Sequence, residues 1–530
     1  MNSEHGVAVV VITHNDAAHL ADAVDSALAQ GDRVREVIVV DDASTDDTPL
    51  VLAKYSRDRV KVLTRTINSG GCGAPRNDGT AYTQQPWVAY LDSDDVLPRG
   101  AVDALLDAAL AADADFATGL CIRRELPSGL TVPWEPHLFS EPGAYTLAER
   151  PQTLRDTLAV NKLYRRAFLV DNDIRFARGS AHYEDFAFSA QAYAAAARFA
   201  ITPAHVYTWN VRRAAETPSI SLRRDNLKNW RDRTTAHEQV LDIMRDTGNT
   251  DLVVAAEHKF LHHDLMLYLR DLHKRTEEYQ RGWWDLTRKH FERFVCWGRP
   301  GIAFQARWAA DLIRFRDEPV DLARLSELAA TPPRLLPPYH GSAAVPTWDD
   351  RLPAAQLAGL AELPLAELPV DVDGSVEVRR SDVVLKLRVH DMYGRLADAG
   401  VVRAEVVLKE RSGAGERTVA GEVAGGFVDG VLAVRASLPG AVLYAPKTMA
   451  TWDLSVALTF RTGATATVRV RSADRSGLGR HVVPGVRPAV LLVQPYRTAA
   501  RALSIRVAGG LRGAATVVKA RNDRRRNAKG

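Results

Sequence analysis

The 530-residue chain holds only three cysteines, Cys72, Cys121 and Cys296, far apart and without a CxxC pair. That scarcity excludes a disulfide-stapled scaffold or a zinc ribbon and points to a reducing compartment. No stretch nears the roughly 18 consecutive apolar residues that a membrane-spanning helix requires. The opening "MNSEHGVAVVVITHND" has no basic n-region, and its apolar run is shorter than a signal peptide needs. The expectation is a cytoplasmic protein, peripheral at most, at the inner face of the cell membrane. Neither sign of charge is in excess: 69 Lys and Arg against 65 Asp and Glu leave a net charge of +4. That near-balance argues against a nucleic-acid partner. GxGxxG, a Walker lysine loop and HExxH are all missing, which weakens the dinucleotide, P-loop and zincin readings.

What is present begins as alternating strand and helix signals. "VAVVVIT" is a continuous β-branched run, as expected of a parallel strand buried on both faces. "AAHLADAVDSALAQG" has helical spacing, and "REVIVV", "VKVLTR" and "WVAYL" read as further strands. The order predicts a doubly wound α/β domain over residues 1–225, with ligands beyond the carboxyl ends of the strands. A helical extension is expected over 226–330, with Trp230, Leu241, Met244, Phe260, Leu261, Leu265 and Leu269 at helical intervals. A Pro-rich linker or strap follows over 331–367. Alternating strands such as "WDLSVALTF" predict a β-sandwich over 368–496, built like an immunoglobulin domain. The remainder, 497–530, is basic. Wound as a helix, it gathers Leu503, Val507, Leu511, Ala514 and Val518 on one stripe and Arg501, Arg512 and Lys519 opposite. That is the pattern of a helix lying on an anionic membrane surface; a basic, solubilising tail is the alternative.

The chemistry-bearing motifs fall at strand ends. "DSDD" places Asp92, Asp94 and Asp95 after an apolar strand. Two carboxylates one residue apart suit a hard divalent cation shared with substrate phosphates; an Asp-rich turn capping the next helix is the plain alternative. "VVDDASTDDT" puts Asp41 and Asp42 at another strand end. "NSGGCGAPRNDG" adds a Gly-rich turn with Arg76, a planar cation suited to a nucleotide edge or phosphate. Glu184 and Asp185 in "HYEDFAFS" are either a base pair for proton abstraction or an acidic first turn favoured by the helix dipole. His258 and His262, four apart, are a weak metal pair, and Trp283–Trp284 reads as core.

In this order the motifs "VVVITHN", "VIVVDDASTDDT", "NSGGCGAPRNDG", "YLDSDD", "NKLYRRAFL" and "HYEDFAFS" resemble the inverting family 2 glycosyltransferases with a GT-A fold, over roughly residues 7–222. The resemblance departs in Ile12–Asn15, where the family often has Pro-x-Tyr-Asn, and in "DDAS" for "DDGS". It implies that Asp42 accepts from a uracil imide, with Thr13, His14 and Asn15 lining the base and Asn68 and Arg76 bordering the nucleoside. It further implies that Asp92 faces the sugar or ribose and, with Asp94, holds Mn²⁺ or Mg²⁺ at the diphosphate. Asp185 becomes the base and Glu184 its acceptor-positioning neighbour. Arg212, Arg213 and Ser219 fall on a loop over the diphosphate.

The architecture further resembles wall teichoic acid glycosyltransferases. It implies a metal-dependent enzyme moving a sugar from a nucleotide-sugar, a UDP-sugar, to a hydroxyl of a cell-surface polymer or glycan. A dimer or trimer held by the β-rich domain is the implied assembly. A non-catalytic glycan-binding scaffold on the same fold is the alternative, and a nucleotidyltransferase a third reading.

Overall fold

The computed structural model describes residues 5–55, 58–179, 182–212, 224–342, 344–350, 357–379, 382–413, 415–444, 449–473, 478–484, 490–498 and 500–509. The chain divides into two units, Met1–Leu265 with Arg275–Ile302, and Met266–Lys274 with Ala303–Gly530.

The first unit is built on one mixed sheet. Strands β1 (Val7–Thr13), β2 (Val34–Asp41), β3 (Val60–Thr64) and β4 (Trp87–Asp92) run parallel in the order β3-β2-β1-β4. Each βα crossover returns the chain in the same direction, so all four strand ends emerge on one side. Beyond β4 the sheet turns mixed. β8 (Lys162–Arg165) is antiparallel to β4 and to β5 (Phe116–Leu126), and β9 (Phe199–Arg212) lies parallel to β5. β6 (Leu130–Pro133) pairs with β5, and β7 (Gly143–Tyr145) closes the far edge on β9. β1 is buried along its whole length, as its unbroken apolar run requires.

Helices α1 (Leu20–Leu28), α2 (Thr48–Leu52), α3 (Gly73–Tyr82), α4 (Ala101–Ala111), α5 (Arg166–Asp171) and α6 (Glu184–Ala195) are threaded between these strands. At Gly79 of α3 an added Cβ would strike Val10 of β1, so the helix lies closer to the sheet than any other residue permits. α4 is preceded by Gly100 in a left-handed conformation with no side-chain cap. The acids of "DSDD" therefore do not cap it, and that alternative is set aside.

Helices α7 (Leu227–Asp246), α8 (Thr250–Lys259) and α10 (Glu277–Phe291) complete this unit, with α9 (Met266–Leu272) in the other. Trp283 and Trp284 are core, both fully buried. His258 and His262 do not form a metal pair. A π-helical turn, Phe260–Leu265, interrupts the helix after Lys259, their rings stand 5.8 Å apart, and no third ligand joins them among the described residues. The same turn carries Asp264 inward, where it accepts from Arg233 Nε at 2.8 Å and from Lys259 Nζ at 2.8 Å. The two cations hold the fully buried Asp264 carboxyl well below the usual carboxylate range. Replacing Asp264 by Asn removes the carboxylate that both buried cations share, a loss of about 3–5 kcal/mol. We expect a correspondingly lower urea midpoint for Asp264→Asn at neutral pH. The deficit should narrow as pH falls toward the acid range, where the wild-type carboxyl also loses its charge.

The second unit contains α11 (Phe304–Phe315), α12 (Leu322–Leu328), the two-residue strands β10 (His340–Gly341) and β11 (Pro346–Thr347), and a large β-rich region. The Pro-rich stretch is a packed strap and not a free linker. Leu335, Trp348, Leu357 and Leu360 are buried, and Arg324 donates to the carbonyls of Leu336, Pro338 and Trp348.

The β-rich region comprises β12 (Val372–Val378), β13 (Asp382–His390), β14 (Val401–Glu410), β15 (Glu416–Val423), β16 (Val431–Pro439), β17 (Met449–Phe460), β18 (Thr465–Arg469), β19 (Arg471–Ser472), β20 (His481–Pro484), β21 (Val490–Arg497) and β22 (Leu503–Gly509). They follow the order β19-β12-β13-β16-β15-β14-β17-β22-β21-β20, with β18 on β17. β15 pairs with β14 through Gly421 and with β16 from Glu422, so it passes from one half of the sheet to the other. Leu454, Val456, Leu458 and Phe460 share the buried face of β17, as the alternation predicts. The strands outnumber the seven to nine of an immunoglobulin domain.

The expected amphipathic tail helix is corrected at its start. Leu503–Gly509 is a strand hydrogen-bonded to both β17 and β21, so the β-rich region runs past 496. Leu511, Arg512, Ala514, Val518 and Lys519 lie outside the described residues.

Candidate active site

The site forms where β1, β2 and β4 end. Thr13 closes β1 and is buried. His14 follows, its Nδ1–H donating to the Asp42 carbonyl at 2.9 Å. Asn15 adopts a left-handed φ of 51°, and its Oδ1 accepts from the backbone of Thr45 at 2.7 Å. Asp42, 4% exposed, is already engaged. It accepts from Ser69 N–H at 3.0 Å, Ser69 Oγ–H at 2.7 Å and Asn68 Nδ2 at 3.2 Å, and it pairs in charge with Arg65, whose Nε lies at 2.9 Å. In this structure the expected imide acceptor anchors the Gly-rich loop to the end of β2.

The three acids of "DSDD" have separate duties. Asp95 is buried and accepts from Tyr207 Oη–H and from the Asn210 backbone, both at 2.7 Å. It fastens the segment after β4 to β9. Asp94 is half-exposed and lies 3.4 Å from Arg212 Nη1. Partial burial, with Asp92 and Asp16 nearby, pushes its carboxyl up to about 6. Asp16, which the motif reading passed over, also accepts from Ser93 Oγ–H at 2.7 Å. Its only signal was position, one residue past "THN" at a strand end.

Arg76, expected to border the nucleoside, is engaged here by carboxylates. Its side chain is 2% exposed, and it donates to Asp92 at 2.8 Å, Asp185 at 2.7 Å and Glu184 at 3.1 Å. One guanidinium thus joins the acid at the end of β4 to the pair that opens α6. Gly73 makes this possible: a Cβ there would meet the Ala177 carbonyl, so only glycine lets α3 approach that segment. In this structure both terminal nitrogens of Arg76 are engaged by carboxylates, so the side chain holds the acids together.

Glu184 and Asp185 begin α6 after Tyr183, which takes a left-handed φ of 65°. Tyr183 is held there by its hydroxyl, which donates to Asn229 at 2.8 Å, and by Arg233 over its ring. Burial and the neighbouring Asp185 push Glu184 up to about 7. Burial also raises Asp185, against the pull of Arg76. Asp185 further accepts from the Ala159 backbone at 3.4 Å. "NKLYRR" supports this from below: Lys162 pairs with Asp156 at 2.7 Å and Asn161 Nδ2 donates to Asp156 at 3.1 Å, all three fully buried.

The basic segment after β9 begins as strand, with Arg212 donating to the Asp94 carbonyl at 3.0 Å. Arg213 and Ser219 lie outside the described residues. The geometry therefore gathers Asp92, Glu184 and Asp185 on Arg76, with Asp94 and Arg212 next to Asp92 and with Thr13, His14, Asp42 and Asn68 along the ends of β1 and β2.

The sequence profile described as "Glycosyl transferase family 2" matches residues 8–171. This chain carries a family 2 glycosyltransferase domain. The poly(ribitol-phosphate) beta-N-acetylglucosaminyltransferase TarS of Staphylococcus aureus (strain Mu50) is 33% identical over 212 residues, 39% of this chain and 36% of that protein. The succinoglycan biosynthesis protein ExoO of Rhizobium meliloti is 32% identical over 230 residues, 41% of this chain and 64% of that one. The poly(ribitol-phosphate) beta-glucosyltransferase of Bacillus spizizenii is 27% identical over 219 residues, 41% of this chain and 34% of that one. In each case the match spans less than two thirds of the relative.

Among solved structures, the fold is like that of S. aureus TarS, with a TM-score of 0.51 at 18% identity over 95% of this chain and 85% of that one. The TarS fragment 1–349 solved with UDP-GlcNAc also matches, with a TM-score of 0.51 at 21% identity over 63% of this chain and 94% of that one. No helix among the described residues is long and apolar enough to cross a membrane.

The glycosyltransferase domain offers a donor set suited to a hard divalent cation. Asp92 and Asp94 are both accessible, and with Asp16 they concentrate negative charge that Arg212 only partly offsets. Two carboxylates leave positions for phosphate oxygens and water, as Mg²⁺ and Mn²⁺ prefer. The tightest His and Asp cluster among the described residues lies elsewhere, at Asp371, Asp373 and His390 in the second unit. Arg471 grips Asp371 at 2.9 and 2.6 Å, and Arg388 grips Asp373 at 2.8 and 3.1 Å. Those guanidiniums already neutralise both carboxylates, so the cluster is a salt-bridge network.

Proposed function

We propose that this protein is a metal-dependent, inverting glycosyltransferase that moves a sugar from a UDP-sugar to a hydroxyl of a polyol-phosphate polymer of the teichoic acid kind. The observation that carries the reading is the Arg76 junction, which sets the strand-end acids and the Glu184–Asp185 pair on one guanidinium. Asp94 and Asp92 would hold Mn²⁺ or Mg²⁺, which would supply charge neutralisation for the departing diphosphate. Thr13, His14, Asp42 and Asn68 border the nucleoside. Asp185 takes the acceptor hydroxyl proton as that oxygen attacks the anomeric carbon from the face opposite the leaving group. Glu184 orients the acceptor, and Arg76 keeps Asp185 ionised. The poly(ribitol-phosphate) relatives support the acceptor class.

A scaffold without catalysis has no use for a base of raised pKa poised beside a metal-type acid pair. The test is a panel of nucleotide-sugars assayed for UDP release with and without poly(ribitol phosphate). Polymer-stimulated release from one UDP-sugar, abolished by EDTA and restored by Mn²⁺ or Mg²⁺, is the expected result. UDP release from no donor in the panel would return the protein to the scaffold reading.

A further inference from the structure

In the second unit, β12, β13 and β16 present an outward face whose side chains are mostly charged. Lys386 on β13 and Arg435 on β16 are directly opposite one another, and both are exposed. Like charges so placed across an antiparallel pair repel. Arg388, two residues along β13, is exposed beside them. These three cations border a surface hollow of about 440 Å³ floored by Ala424, Ala433 and Ala473. That volume is in the range of small-ligand sites.

The acids nearby cancel this charge only in part. Asp373, the one acid lining the hollow among the described residues, is 2% exposed and held by Arg388, Arg471 and His390. Glu377 is shared between Lys386 at 2.9 Å and Arg379 at 3.0 Å. Glu422 stands across from Arg435 in register without an ion pair to it. Among the described residues no aromatic side chain lines the hollow, so they offer no platform for the apolar face of a neutral sugar.

We propose that this hollow binds a phosphodiester-linked polyol chain, with a phosphate between Lys386 and Arg435 and the next repeat directed toward Arg388. The small alanines leave room for the polyol, and the guanidinium and ammonium supply donors for the phosphate oxygens. The inference rests on the acceptor class proposed above: the second unit retains the polymer on which the first unit acts. It adds a site that the catalytic residues do not include.

The experiment measures binding of poly(ribitol phosphate) to the full chain without donor, with a neutral dextran as control. It compares wild type, the double variant Lys386→Ser/Arg435→Ser, and Lys409→Ser on the exposed edge of β14. All three positions point to solvent, so unchanged thermal midpoints verify folding. The double variant is expected to bind about tenfold more weakly, as two exposed charge contacts are lost. Lys409→Ser should match wild type, and added salt should erase the difference. Wild-type-like polymer affinity in the double variant overturns the proposal, as does equal binding of dextran. So does a change in self-association with polymer affinity untouched, which would make this face a contact between copies. Absence of glycosyl transfer alongside charge-dependent polymer binding would sink the catalytic reading alone.

Discussion

Asp185→Asn is expected to lower turnover by about 10² or more while leaving UDP-sugar affinity within a factor of about two. The reason is positional. Asp185 takes one terminal nitrogen of Arg76 and Asp92 the other, and Asp185 also contacts the Ala159 backbone, apart from the residues proposed to border the nucleoside. Its carboxylate is raised by burial, and its neighbour Glu184 is pushed to about 7. A base works only when ionised, so wild-type turnover should rise with pH along a limb above the ordinary carboxylate range. The two carboxylates interact, so that limb belongs to the pair. The residual activity of Asp185→Asn should lose it. Glu184→Gln should mainly weaken acceptor KM. Near-normal turnover in Asp185→Asn would move the base elsewhere.

Arg76→Met is expected to damage stability and activity together. The side chain is buried and neutralises part of three carboxylates. Removing the cation of such a cluster costs up to about 3–5 kcal/mol, because Glu184 and Asp185 are left largely buried without it. The pH dependence has a definite sign. Without Arg76 the folded-state pKa values of Glu184 and Asp185 rise further above their unfolded values. The variant therefore recovers stability as pH falls and the acids take up protons, and it loses stability as pH rises through neutrality. Thermal midpoints of both proteins across pH 5 to 8 measure this. A small deficit that does not change with pH would mean Arg76 is not the charge that holds the site together.

Much of this site was legible in the sequence because a parallel sheet sends its strand ends to one side. "THN", "DDAS" and "DSDD" each follow an apolar strand, so their convergence needed no knowledge of side chains. The role of Arg76 was not legible: its partners lie 16, 108 and 109 residues away. A planar cation in a Gly-rich turn suits a phosphate and a carboxylate equally well. Nor did the sequence separate Asp95 from Asp94. Only the pairing of Val96 with Thr208 brings Tyr207 and Asn210 onto Asp95.

The tail was misread because Leu503 and Val507 satisfy both a helical stripe and a strand face. Ile505 decides between them. It is fully buried with Leu503 and Val507 on the inner face of β22, where a helix would have turned it away. The Pro-rich strap was ambiguous for a different reason. Proline content reads as a break in regular structure, and nothing local announced that Leu335 and Trp348 would be buried.

The central claim is that the acids at the end of β4 tolerate one another because a metal-bound nucleotide diphosphate fits between them. Calorimetric titration of the full chain with UDP, in Mn²⁺ and in EDTA, tests it most directly. The account predicts saturable one-site binding in Mn²⁺ that is lost in EDTA. UDP binding of equal affinity in both conditions would contradict it.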